Sequence, residues 1–266
     1  MIAIPLFKRN MVSSIKLSII FIAVLTMYTA VIIYMFDPEM AQMLNDYQEM
    51  MPGLMAAMGM SGDTGTLIAF INTYLYGFIM LIFPMIFSIV LVNKILMKYI
   101  DSGSMANLLA SPNSRTKIII TQMVSIILSI IMLIAINTII GLICSEVMFP
   151  GELDISRYLQ LNVSMICLHL AVSGIGFFAA CFFNQSKGYF FLGAGLPILF
   201  YLIQMLANMG EELKVLKYFT LYTLVAGDKI IAGEGGVLIS NIILIAMGFS
   251  LYSLGAFNFI KKDLPL

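Results

Sequence analysis

The chain has 266 residues, of which 61% are hydrophobic and 11% charged, with a formal net charge of zero and a mean hydropathy of +1.01. Soluble domains carry about 25% charged and about 45–50% apolar residues, so the composition excludes a soluble enzyme or nucleic-acid-binding domain. With 20 Gly and 8 Pro it is no low-complexity chain either, and an all-α polytopic membrane protein is the class that fits.

Charges fence the sequence into apolar runs. Uncharged stretches of 20, 30, 28, 29, 23 and 26 residues lie between Lys16 and Asp37, Asp63 and Lys94, Lys117 and Glu146, Arg157 and Lys187, Lys187 and Glu211, and Glu234 and Lys261. Crossing a hydrocarbon core of roughly 30 Å takes about 20 apolar residues as helix. Six transmembrane helices are therefore expected, at about 17–36, 66–92, 118–143, 159–183, 189–208 and 237–260, forming one domain over residues 1–266. The runs lack the alternation of a membrane barrel.

In chain order, "MIAIPLFKRNMVSS" is short, apolar and basic, and reads as an interfacial helix or as a charged anchor. The run after Lys16 is too long for a signal-peptide core and has no small-residue cleavage site, so it is expected to stay as the first span. Residues 37–53 read as a helix after that span: Asp37 is a good N-cap, Pro38 suits the first position, and Pro52-Gly53 stops it. "NQSKG" (184–188) is a tight hairpin between the fourth and fifth spans. Residues 211–235 contain an uncharged ten-residue patch, 218–227, too short to span and suited to dipping into the outer leaflet.

Six spans put both termini on one side. That side carries ten of the 14 bases: Lys8, Arg9, Lys16, Lys94, Lys98, Arg115, Lys117, Lys187, Lys261 and Lys262. The positive-inside rule makes it cytoplasmic, in a multi-pass protein of the cell membrane. Twelve of the 14 acids fall on the other side.

No G-x-x-x-x-G-K-[ST] is present to hold nucleotide phosphates. No Asp, Glu, Lys or Arg lies within the apolar spans, which argues against an ion-coupled carrier. The single histidine, His169, has no acidic neighbour in its span and reads as a packed, hydrogen-bonded residue. Asn72, Gln122, Asn137, Asn162, Gln204 and Asn241 read as interhelical glue. Cys144, Cys167 and Cys181 sit in apolar runs without C-x-x-C spacing and read as small hydrophobes. Met40, Met43, Met50, Met51, Met55, Met58 and Met60 invite a Cu(I) reading, but a chain with 22 Met uses methionine as an everyday hydrophobe, so no metal site is expected. The small residues of "SGIGFF" (173–178) and "GAGLP" (193–197) suit close helix packing.

Between the second and third spans lies "YIDSGSMANLLASPNSRTK" (99–117), short, half-apolar and without a catalytic residue. It offers a short helix with an exposed Leu108-Leu109 pair held outside the bilayer, then a Ser-Pro turn and two bases. It resembles the cytoplasmic segment of type-2 ATP-binding-cassette exporter permeases, whose pattern runs roughly acid-x-acid-x-Gly-Thr, a Leu-Leu pair, then x-x-Pro-x-Ser-Arg. Asp101 takes the second acidic place, Gly103 and Ser104 the Gly-Thr place, Leu108 and Leu109 the Leu pair, and Pro112, Ser114 and Arg115 the close; Tyr99 and Ser104 depart from the pattern. The resemblance extends along the whole chain.

The resemblance implies a coupling helix that docks into a groove on a separate ATPase subunit. It also implies a second permease copy or a related permease, and no cofactor in this chain, ATP and magnesium being bound by the partner ATPase. The expected function is the membrane subunit of an ATP-driven exporter, itself not an enzyme. The alternatives are a non-transporting receptor or scaffold, and a secondary carrier.

Overall fold

The computed structural model describes residues 2–37, 43, 44, 46, 49–62 and 64–262. Among them there is no strand, and six helices are long and apolar enough to cross a membrane. The elements are α1 (Ile4–Tyr34), α2 (Pro52–Ala57), α3 (Leu67–Asp101), α4 (Met105–Leu109), α5 (Arg115–Met148), α6 (Ile155–Phe182), α7 (Ser186–Asn208), α8 (Gly227–Ala232) and α9 (Val237–Lys261). The protein is thus an all-α polytopic membrane protein with six spanning helices. The face where α1 begins and α9 ends is called the terminal face below.

The N-terminal segment is helical, but it is not a separate interfacial helix. Pro5 sits in the first turn, where its missing N–H costs nothing, and no Gly or Pro interrupts the chain before Tyr34. At 1.5 Å per residue the 31 residues of α1 make a rod of roughly 46 Å. Its early turns stand against α5 because their polar groups find partners there. Asn10 Nδ2 donates to Gln122 Oε1 at 2.6 Å and to Ser125 Oγ at 3.1 Å, and the Ala3 N–H donates to Thr121 Oγ1 at 2.9 Å.

The helix expected over residues 37–53 lies largely outside the described residues. At its end Met51 is non-helical, and Pro52 opens the short helix α2.

α3 contains Pro84 and two stretches of widened, π-type turns, Asn72–Ile79 and Asn93–Met97. Pro84 has no N–H to offer the Met80 carbonyl one turn earlier. That carbonyl instead accepts from His169 Nε2 of α6 at 2.8 Å. The lone histidine therefore repairs a proline break, and the carbonyl partner assigns the proton to Nε2. A widened stretch, Phe190–Ala194, likewise precedes Pro197 in α7.

α6 is the central helix, packed against α9, α3 and α5, while α1 packs on α5 and α3. The close crossing of α6 and α9 needs glycine: a Cβ on Gly174 would stand 3.2 Å from the Gly248 carbonyl oxygen. This is the packing expected of the "SGIGFF" run, and Tyr252 Oη donates to Ser173 Oγ at 2.8 Å across the same interface.

Of the six amides read as glue, Gln122 accepts from Asn10, and Asn137 Oδ1 accepts from Thr29 at 3.1 Å. Asn72 reaches α8, and Gln204 reaches the segment before it. Asn162 bonds back to Tyr158 of its own helix, and Asn241 Oδ1 is buried without a hydrogen-bond partner among the described residues.

Candidate functional site

The stretch between α3 and α5 folds as a compact, braced unit on the terminal face. Gly103 adopts φ +69°, a left-handed conformation that favours glycine, and turns the chain out of α3. Ser104 precedes the five-residue α4. Ser111 Oγ then donates to the Leu108 carbonyl at 2.6 Å, Pro112 is exposed, and Ser114 caps α5 by accepting from the Lys117 N–H at 3.2 Å.

Two charged residues tie this unit to the bundle. Asp101 Oδ1 accepts from the Ser186 N–H at 3.1 Å and Oδ2 from Ser186 Oγ at 2.8 Å, so it caps the start of α7 from across the face. A groove of about 900 Å³ lies between this stretch and the 184–187 hairpin. Arg115 Nη1 donates to the Lys262 carbonyl at 3.0 Å. Lys262 Nζ donates in turn to the carbonyls of Phe182 at 2.6 Å and Cys181 at 3.3 Å, capping the C-terminus of α6 where a cation suits the helix dipole. Partial burial lowers the Lys262 pKa, and the neighbouring Cys181 opposes that shift.

The Leu pair departs from expectation. Leu108 and Leu109 are not free: each is half-buried and packs against the core, as does the fully buried Met105. Residues 105, 108 and 109 stand at i, i+3 and i+4, the spacing of one helix face, and that face turns inward. Met105 was missed in the sequence although this spacing marks it. Ser102, Gly103, Asn107, Ala110, Pro112 and Ser114 are the exposed residues of the unit.

A second feature lies at the opposite face, a cavity of about 460 Å³ among the outer turns of α3, α7 and α9 and the 211–235 segment. That segment folds back onto the helices, burying Leu221 and Tyr222. Tyr222 Oη donates to Met85 Sδ at 3.1 Å, and burial, helped by Tyr201, raises its pKa above the usual value. Asn72 Nδ2 donates to Asp228 Oδ1 at 3.0 Å, and Gly227 makes room for that contact because a Cβ there would collide with the Asn72 amide. Thr223 Oγ1 donates to Gln204 Oε1 at 2.7 Å, and Gln204 Nε2 to Asn208 Oδ1 at 2.9 Å. Tyr76 also lines the cavity; its ring meets Tyr158 edge-on at 6.3 Å, and neither buried hydroxyl makes a well-formed hydrogen bond.

No group of three His, Cys, Asp or Glu side chains suited to a metal occurs among the described residues. Met55 and Met60 line an apolar cavity of about 270 Å³ with Tyr28, Ile32, Phe70 and Tyr74, while Met50 and Met51 are exposed and Met40 lies outside the described residues. No family model matches the chain, and no curated protein or solved structure matches it.

Proposed function

We propose that the chain is the membrane-spanning subunit of an ATP-driven exporter. It forms the translocation path with a second permease copy or a related permease, and a separate ATPase drives it. The terminal face is then cytoplasmic, in line with the ten bases on that side. One observation carries the reading. A short helix between the second and third spans is packed on the terminal face, with hydrogen bonds that brace its flanks through Asp101 to α7 and through Arg115 to the end of α9. A loop that only joins two spans needs no such bracing, whereas a lever that takes up force from a partner does. The chain has no phosphate-binding loop of its own, so ATP and magnesium would belong to that partner.

The test is copurification of a nucleotide-hydrolysing subunit with the tagged chain, followed by transport in inside-out vesicles. Uptake should require hydrolysable ATP and persist when ion gradients are collapsed. Uptake that follows an ion gradient without ATP points to a secondary carrier. A stable complex without any transport points to a receptor or scaffold.

A further inference from the structure

We propose that the cavity on the face opposite the termini binds a zwitterionic group, an ammonium and a phosphate joined by a short linker. Its charge pattern has both signs. Two lysines, Lys217 and Lys229, and one aspartate, Asp228, line it, and none of the three is in an ion pair among the described residues. Asn72 donates to one oxygen of the carboxylate, Oδ1, and Oδ2 accepts no such bond among the described residues. A purely anionic ligand would meet Asp228, and a purely cationic one would meet the two lysines. A zwitterion satisfies both, and Gln204, Asn208 and Thr223 supply further donors and acceptors beside it.

Size and position fit the same ligand class. About 460 Å³ lies within the roughly 300–1,000 Å³ of small-molecule sites and leaves room for a headgroup with its ester linkage. The cavity lies toward the helix ends away from the termini, since Asn208 ends α7, Ser240 is in the first turn of α9 and Asn72 is near the start of α3, and it reaches inward to Leu81 and Met165. The same ends of α7 and α9 expose Leu202, Leu206, Leu238 and Ile239, which suit contact with acyl chains. The two sources of this chemistry are an aminophospholipid headgroup and a soluble aminoalkyl phosphate. The site requires neither an ATPase nor a direction of transport.

Native mass spectrometry of the delipidated full-length chain tests this with phosphatidylethanolamine, phosphatidylglycerol and phosphatidylcholine, and with phosphoethanolamine as competitor. Wild type should bind phosphatidylethanolamine about fivefold more tightly than the anionic lipid or the methylated one, as a partly exposed charge pair allows. Asp228→Asn keeps an acceptor for Asn72 and should erase the preference over phosphatidylglycerol. Lys217→Gln/Lys229→Gln should weaken both lipids about fivefold. Competition by millimolar phosphoethanolamine assigns the soluble source, and its failure beside retained lipid assigns the lipid. Equal binding of all three lipids by wild type overturns the proposal, as does loss of binding in the lysine variant with no change in Asp228→Asn.

Discussion

Under the export reading, replacing Asn107 of α4 and Ala110, the residue that follows it, by lysine tests the docking surface with little effect on folding. The Leu pair is a poor target, because Leu108 and Leu109 are half-buried against the core. Full burial of a leucine contributes about 1.5–3 kcal/mol, so half-burial of the two amounts to roughly 2 kcal/mol. Aspartates there would remove that packing and place carboxylates against apolar neighbours, so Leu108→Asp/Leu109→Asp should lower folded yield and ATPase binding together and distinguish nothing. Asn107 and Ala110 are exposed. Lysine is a good helix former and a favourable charge near a helix C-terminus, so the double change should alter stability by no more than about 0.5 kcal/mol. If α4 seats in an ATPase groove, two long cations at its centre should cost at least about 2 kcal/mol, or roughly 30-fold in affinity. The assay is a pull-down of the solubilised complex with its ATPase beside a melting curve of this chain alone. Unchanged ATPase recovery with an unchanged melting temperature would place the docking surface elsewhere.

Asp101→Ala removes both bonds to Ser186; it should lower stability by only about 1 kcal/mol yet, under the export reading, reduce transport per ATP hydrolysed, which simultaneous transport and phosphate-release assays would register. Replacing Met50, Met51, Met55 and Met58 by Leu keeps volume and apolarity and should leave transport near wild type; stoichiometric Cu(I) binding by wild type that the variant loses would contradict this. Burial holds the Tyr222 pKa above its ordinary value of 10, so above pH 10 the unfolded chain releases this proton while the folded chain keeps it. That contribution is fully present below pH 10 and is lost as pH rises beyond it. Tyr222→Phe should therefore lessen the fall in melting temperature between pH 9 and 11, and identical slopes would refute the assignment.

The spans were legible because hydrophobic run length is a direct consequence of bilayer thickness. Their ends were not, since a charge stops an apolar window without stopping a helix. Lys8, Arg9 and Lys16 all lie inside α1, and Lys94, Lys98 and Asp101 inside α3. The inward turn of the Leu pair was readable from Met105, Leu108 and Leu109, because i, i+3, i+4 spacing gives a helix one apolar face. The role of His169 was half legible. Pro84 in the sequence frees the Met80 carbonyl, but only packing brings a residue 89 positions away to take it. The cavity opposite the termini was invisible, because Asn72 and Asp228 are 156 residues apart and nothing local marks either as a wall.

The two candidate sites share one helix. α3 carries Asn72 and Tyr76 on the cavity wall at one end and runs into the braced 102–114 unit at the other. Under the export reading, force on α4 enters a unit already fastened to α7 and α9, and Lys262 fastens α9 to the end of α6. Those contacts link the helices to one another at the terminal face. At the other end Asn72 donates to Asp228, Thr223 to Gln204 and Tyr222 to Met85, and Gly59 lies against Gly77 so closely that a Cβ on Gly77 would collide with it. Between these ends α3 holds two widened stretches and a proline, the places where a helix bends at least cost. A displacement imposed at Asp101 would therefore pass the Asn93–Met97 turns and Pro84 before it reaches the Asn72–Ile79 stretch. The Asn72–Ile79 stretch, beside the cavity and within reach of the Met80–His169 bond, is where the bend would be taken up and where the cavity would change shape.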